Sequence, residues 1–243
     1  MIELVKVKDR DEGNLRAHDF LKEVVDDQTL LALSGGTSPD YRKMIATTQV
    51  TEMKAEDTEQ KAEGTSGGQG ILPGAICVVD ERYGKPYHQN SNELLLKNAG
   101  IIDYCDLKNI EFHKILEGRG IEQTAEDYDQ LMSELFVKYP KKIGVMGIGA
   151  NLHTAGLFPK GESVKSAKLV TFETVEDQFP QRISLTLKAF GEFGNFIIFA
   201  FGEEKKEALR KMLDEKENDM QKYPAIFFRK AFAKSWLVTD IVF

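Results

Sequence analysis

Short, continuously apolar runs separated by helix-length amphipathic stretches constrain this chain more than any other feature. "TLLALS" (29–34), "AICVVD" (75–80), "IGVMGIG" (143–149) and "NFIIFAFG" (195–202) lack the polar alternation of a half-solvated strand. A run apolar on both sides of the pleat must be buried on both faces, which is the condition of a parallel sheet covered by helices. The intervening segments supply those helices. Asp11–Asp27 carries an apolar stripe of Leu15, Phe20, Leu21, Val24 and Val25. Glu122–Lys138 turns Ala125, Tyr128, Leu131, Met132, Leu135 and Phe136 to one side. Further helices are predicted at about Pro39–Ile45, at Ser91–Asn98 and over "EEKKEALRKML" (203–213). "IELVKV" (2–7), "IEFHKI" (110–115), "RISLTL" (182–187) and "AKSWLVTD" (233–240) read as additional strands. The expected fold is α/β and Rossmann-like: a mostly parallel sheet with helices on both faces, in a single domain spanning 1–243. One stretch does not fit a compact unit. Thr47–Gly74 is polar, contains "GTSGGQG", and reads as an insertion or flexible loop with a polar helix near Val50–Ala62.

Charge and cysteine content exclude several function classes. A net charge of −7 opposes a nucleic-acid or anionic-membrane partner, while leaving room for a local basic pocket. No apolar run approaches the roughly 18 residues of a membrane span, and the first residues lack the apolar core of a signal peptide. The expected setting is cytoplasmic. Cys77 and Cys105 match no metal or redox spacing; Cys77 lies in an apolar run and reads as a buried thiol.

In a parallel sheet, ligands gather at the carboxyl ends of the strands, and the unusual residues of this chain follow predicted strands. After "TLLAL" comes "SGGTSP": Gly35 and Gly36 permit a tight turn, Thr37 or Ser38 can cap the next helix, and Pro39 suits its first turn. Such a turn fits an ordinary strand-to-helix connection and also an anion site on a helix N-terminus. After "AICVV" come Asp80, Glu81 and Arg82, three charges that need pairing or a solvated cleft. They fit a salt-bridged strand end, and also a carboxylate for proton transfer beside an arginine for phosphate. After "IGVMGIG" comes His153, a packed turn histidine or a base, with Gly147 and Gly149 keeping its approach open. Arg182 opens "RISLTL", and Lys205 stands in a first helical turn, against the dipole.

Taken together, "SGGTSP" (34–39), "DERYGKPYHQNSN" (80–92), "GIGANLHTAGLFPK" (147–160), "RISLTL" (182–187) and "GEEKKEAL" (202–209) resemble the 6-phosphogluconolactonase family, within the wider group that includes glucosamine-6-phosphate deaminases. The family patterns are SGG[ST]xP, DERxVPxxxxxSN, GxGxDGHTASLFPG, RITLT and GEEKxxAL, met here in order over nearly the whole chain. The resemblance implies a sugar-phosphate substrate and hydrolysis of 6-phosphogluconolactone to 6-phosphogluconate in the pentose phosphate pathway, with no metal and no organic cofactor. It implies that Ser34, Gly35, Gly36 and Thr37 hold the phosphate. Arg82, Arg182 and Lys205 surround the substrate with positive charge, and His153 is the general base, with Asp80 and Asn151 completing the catalytic set. For the oxyanion of the intermediate, backbone N–H groups near Gly147–Gly149 and a nearby arginine are both candidates. A monomer or small homo-oligomer is expected.

Four departures stand out. Asn151 replaces the family's Asp, Leu152 and Lys160 replace glycines, and Gly84-Lys85 replaces a residue-valine pair. A glucosamine-6-phosphate isomerase/deaminase with Asp80 as base is one alternative, although "HTAGLFP" has no acid just past His153. A non-catalytic sugar-phosphate binder, motivated by Asn151 and Leu152, is the other.

Overall fold

The computed structural model describes residues 1–46 and 70–243. The helix expected near 50–62 and most of the expected insertion lie outside the described residues. The last part of that insertion packs against the body of the protein: Ile71 is 3% exposed and its N–H donates to Ile45 O at 3.0 Å.

Seven strands form the main sheet in the order β1 (Ile2–Lys6), β10 (Lys234–Thr239), β9 (Asn195–Phe199), β6 (Lys141–Gly147), β2 (Thr29–Leu33), β3 (Ala75–Val78) and β5 (Glu111–His113). Every neighbouring pair is parallel. All five residues of β2 are buried, as the continuous apolar run requires when both faces are covered. Helix α1 (Arg10–Val24) begins where Asp9 accepts the Glu12 N–H at 3.0 Å, and stacks Phe20 on Trp236 of β10 at 4.6 Å. Its inward face is Gly13, Asn14, Ala17 and Leu21. Leu15, placed in the apolar stripe by sequence, is 58% exposed, because the turn that buries Ala17 and Leu21 carries it to the far side. On β9, Phe196 packs among Phe190, Phe193 and Phe228.

Topology sets where a ligand can sit. The chain runs from β2 to β3 and β5 on one side, then returns to the other side of β2 with β6, β9 and β10. The direction of progress reverses between β2 and β6, so the connections leaving their carboxyl ends part and open a crevice. Ser34 continues β2, with its N–H donating to Val145 O of β6 at 3.1 Å.

A second, three-stranded antiparallel sheet in the order β4 (Asp80–Arg82), β8 (Gln181–Leu185) and β7 (Val170–Thr174) lies at this crevice. Sequence reading treats Asp80–Arg82 as the end of the preceding strand and leaves β7 unassigned. The chain instead changes sheets after Val79, whose N–H still donates to Leu33 O at 2.9 Å. In β7, Phe172 is 40% exposed and only Val170 is buried, so "VTFET" carries little core signal. The helix expected from Pro39 begins later. Asp40 accepts the Met44 and Lys43 N–H groups, and the turn Arg42–Ala46 is π-helical. No described helix is long and apolar enough to cross a membrane.

Candidate active site

A cleft of about 410 Å³ opens at the switch point, lined by residues from each of the sequence-selected stretches: Ser34–Thr37, Asp80, Arg82, His153, Arg182 and Lys205. Asn151 alone of the predicted set is not on its wall; it holds His153 from behind.

The glycine turn after β2 reaches the cleft with Gly36 at φ +110°, a conformation that side chains rarely adopt. Thr37 and Ser38 line the cleft rather than capping a helix, and Tyr41 donates its hydroxyl hydrogen bond to Ser34 O beneath the turn.

The His153 loop is built by its own short contacts. Gly149 N–H donates to His153 O at 2.9 Å, and Leu152 N–H to Gly149 O at 2.9 Å. The ring stacks on Phe158 at 4.7 Å and 12°. A Cβ on Gly149 would stand 2.2 Å from that ring, so this glycine is needed for close approach, whereas one on Gly147 would meet nothing. Asn151 Oδ1 accepts the His153 backbone N–H at 3.0 Å and lies 2.6 Å from His153 Nδ1. Because the backbone N–H is a donor, the atom facing it is the amide oxygen. Nδ1 therefore carries the proton, and Nε2 keeps its lone pair. Burial, then Arg182, Lys205 and Arg82, push the imidazole down to about 4, with Asp177 opposing them. The ring is neutral at neutral pH.

Arg82 and Arg182 are direct cross-strand partners in the β4–β8 pair. Like charges placed opposite each other destabilise a sheet, and the surroundings offset this in part. Arg182 Nη2 donates to Asp177 Oδ2 at 2.5 Å, and Arg82 Nη1 to Asn90 O at 2.9 Å. Phe179 lies 5.4 Å from the Arg82 guanidinium and 5.9 Å from that of Arg182. Both buried Nε–H groups lack a protein partner. Two buried cationic donors without a protein partner thus stand behind the cleft wall, on residues whose side chains line it.

Asp80 is buried on the same wall. Burial pushes its carboxyl up, while Arg82, Arg182, the Asn92 side chain and the Gly35 N–H pull the other way. Glu81 faces inward and accepts the N–H groups of Arg82, Asn92 and Glu93 at 2.7, 2.8 and 2.9 Å. It ties β4 to α2 (Asn92–Asn98), whose cap is Ser91. Lys205 ends the turn before helix Lys206–Leu213, and burial lowers its ammonium. Asp177 and Phe179 also line the cleft, from the β7–β8 hairpin outside every motif; Pro180 is the local turn signal. Asn92, inside the predicted helix Ser91–Asn98, reaches the site as well: its Nδ2 donates to Asp80 O at 2.6 Å.

Of the amides proposed for an oxyanion, Gly149 N–H is committed to His153 O, and Ile148 N–H to Phe199 O at 3.3 Å. The other candidate, an arginine, is on the cleft wall as Arg82 and Arg182. A larger cavity of about 720 Å³ lies on the outer side of the His153 loop. Several of its polar groups are paired: Glu207 with Arg210, Glu173 with Ser163, and Lys211 with Tyr223. No group of three His, Cys, Asp or Glu converges as a metal site among the described residues.

Leu152 and Lys160, the two positions where glycine is departed from, have φ of +68° and +65°. Leu152 is 1% exposed, so burial of its side chain offsets the roughly 1–2 kcal/mol of left-handed strain. Leu152→Gly is therefore expected to destabilise the protein by about 2 kcal/mol, through a lost core contact and a freer unfolded chain. A urea titration checks this; a gain in midpoint would mean that strain outweighs burial.

These features define a doubly wound α/β protein with a cationic, histidine-bearing cleft at its switch point. The family of glucosamine-6-phosphate isomerases/6-phosphogluconolactonase matches residues 16–236. The chain belongs to this family. A 6-phosphogluconolactonase from Nostoc sp. is 27% identical over 166 residues, 65% of this chain and 68% of the relative. A glucosamine-6-phosphate deaminase from Enterococcus faecalis is 23% identical over 226 residues, 88% of this chain and 87% of the relative. The crystal structure of 6-phosphogluconolactonase from Leishmania guyanensis superposes with a TM-score of 0.75 at 17% identity, covering 98% of this chain and 96% of that one.

Proposed function

We propose that this chain hydrolyses the ring ester of 6-phosphogluconolactone to 6-phosphogluconate, with His153 as general base. The observation that carries this reading is a neutral imidazole with Nε2 unprotonated, in one cleft with two arginines whose Nε–H groups lack protein partners. Ser34, Gly35, Gly36 and Thr37 cradle the phosphate, with Lys205 nearby. Nε2 takes a proton as water attacks the lactone carbonyl. The oxyanion of the tetrahedral intermediate is held by arginine N–H groups. As the ring C–O bond breaks, the imidazolium returns its proton to the ring oxygen. A lactone is an activated ester, so modest water activation suffices. The reaction needs no cofactor, and a small sugar phosphate is the partner. Asp80 orients the arginines and the substrate hydroxyls. A cytoplasmic setting fits two buried free thiols, Cys77 and Cys105, and a monomer or small homo-oligomer fits a cleft built from one chain.

The deaminase reading needs an acid working with the histidine. His153 Nδ1 instead faces an amide, and Asp80 is engaged with Asn92 and Gly35. The test compares lactone loss over a buffer blank with ammonia release from glucosamine 6-phosphate. Accelerated lactone loss without ammonia is expected. Ammonia release would favour the deaminase, and 6-phosphogluconate binding without turnover would favour a binder.

Asn151→Asp refines the mechanism. A carboxylate on Nδ1 raises the imidazole, making Nε2 a stronger base. Activity requires the neutral ring, so it fades as pH falls through the ring's value of about 4. In the variant the acid limb of kcat/KM should lie at least about one unit higher, with a severalfold faster rate at neutral pH. An unmoved limb would show that His153 is not the titrating group.

A further inference from the structure

We propose that Asp177, at the tip of the β7–β8 hairpin, is a positioning residue for this reaction: it holds the Arg182 guanidinium and supplies the negative charge that faces His153 across the cleft. The inference rests on the lactonase reading for its kinetic consequences and on geometry for its electrostatic ones.

The tip is fixed by its own backbone. Val175 N–H donates to Pro180 O at 2.8 Å, and Asp177 N–H to Val175 O at 3.0 Å. One carboxylate oxygen, Oδ1, accepts the Gln178 N–H at 2.6 Å; the other, Oδ2, accepts from Arg182 Nη2 at 2.5 Å. Both oxygens are thus aimed, although Asp177 is 37% exposed and Arg182 only 7%. A hairpin tip held so tightly by a buried guanidinium is not a free surface loop.

The charges around His153 explain what this carboxylate does. Among the described residues, β4 brings Arg82 and Asp80 to the cleft, β8 brings Arg182, and the turn before helix Lys206–Leu213 brings Lys205. The ring's own loop contributes only the neutral amide of Asn151 and the face of Phe158. Three cations suit a phosphorylated substrate but oppose the imidazolium that forms when water is deprotonated. Asp177 opposes them: its charge acts on His153 in the direction that favours the protonated ring. Burial pushes the Asp177 carboxyl up, but the Gln178 N–H and Arg182 outweigh it and hold the group below its usual range, so it stays ionised at working pH. Paired to Arg182, it stabilises the transition state through its neighbours without touching substrate.

The test is Asp177→Asn and Asp177→Glu in the full chain, read two ways. The histidine ring signals, four in this sequence, are followed against pH by NMR, and kcat and KM are measured with the lactone. For Asp177→Asn, the His153 midpoint should fall by at least about half a unit and kcat by about tenfold. KM should stay within about twofold, and Asp177→Glu should keep most of the activity. An unmoved midpoint or an unmoved kcat overturns the proposal. A raised KM at constant kcat would reduce Asp177 to a prop for Arg182; a lowered KM at constant kcat would make it a competitor of the substrate anion. The NMR midpoint needs no turnover. A wild type without lactonase activity therefore fails the functional reading alone and leaves the midpoint to decide Asp177.

Discussion

Replacing His153 by alanine should lower the enzymatic acceleration of lactone hydrolysis by about 10²–10⁴-fold, the usual range for a positioned acid–base group. The loss should fall on kcat. With substrate gripped as proposed, by the glycine turn and the cations, none of which uses the imidazole as a partner, KM should change little. The variant should remain folded, because the ring contributes one stacked contact with Phe158 and one hydrogen bond to Asn151 near the surface. A thermal melt beside the assay separates the two effects. Some acceleration should survive in His153→Ala, since the arginines still polarise the carbonyl. Activity within a few-fold of wild type would remove His153 as base and turn attention to Asp80, a carboxyl on the cleft wall that burial pushes up.

Most of the parallel sheet is legible in the chain because burial on both faces leaves no alternative to continuous apolar runs: β2, β3 and β9 lie inside the predicted segments, and β6 starts two residues before its own. The second sheet is not legible for the converse reason. Its β7 buries only Val170 of five residues, and β4 is three residues long and wholly charged. Helix starts are less secure than helix faces: "GGTSPD" offers three possible caps, and the one used, Asp40, is decided by Asn14 Oδ1 accepting its N–H at 2.7 Å from another element. At the site, His153 and the glycine turn follow strands of the main sheet, Lys205 precedes a helix, Arg82 and Arg182 stand on paired short strands, and the switch point gathers them. The tautomer of His153 could not be read from sequence, because it depends on which atom of Asn151 meets the backbone. Nor could Asp177, whose only mark is its place five residues before Arg182 on a hairpin that sequence does not declare.

Arg182→Ala should cut kcat/KM by about 10²–10³-fold, the magnitude that follows loss of one donor to a developing oxyanion. The side chain is buried, its Nε–H has no protein partner, and one face of the guanidinium is packed between Phe158 and Phe179 at 5.5 and 5.9 Å. Those contacts hold the donor in place before substrate arrives, so little ordering remains to be done in the transition state. Stability should move the other way or not at all. Removing Arg182 ends its opposition to Arg82 across the β4–β8 pair, and the Asp177 left behind is exposed enough to be hydrated. Arg182→Lys keeps the charge but loses the flat fork and the fixed Nε–H, so it should recover only part of the rate. A melting temperature that holds steady while kcat/KM collapses would identify an arginine kept for chemistry at the expense of the sheet. A collapse of both would mean that the ion pair with Asp177 and the packing on Phe158 are structural, and that the oxyanion is held from Arg82.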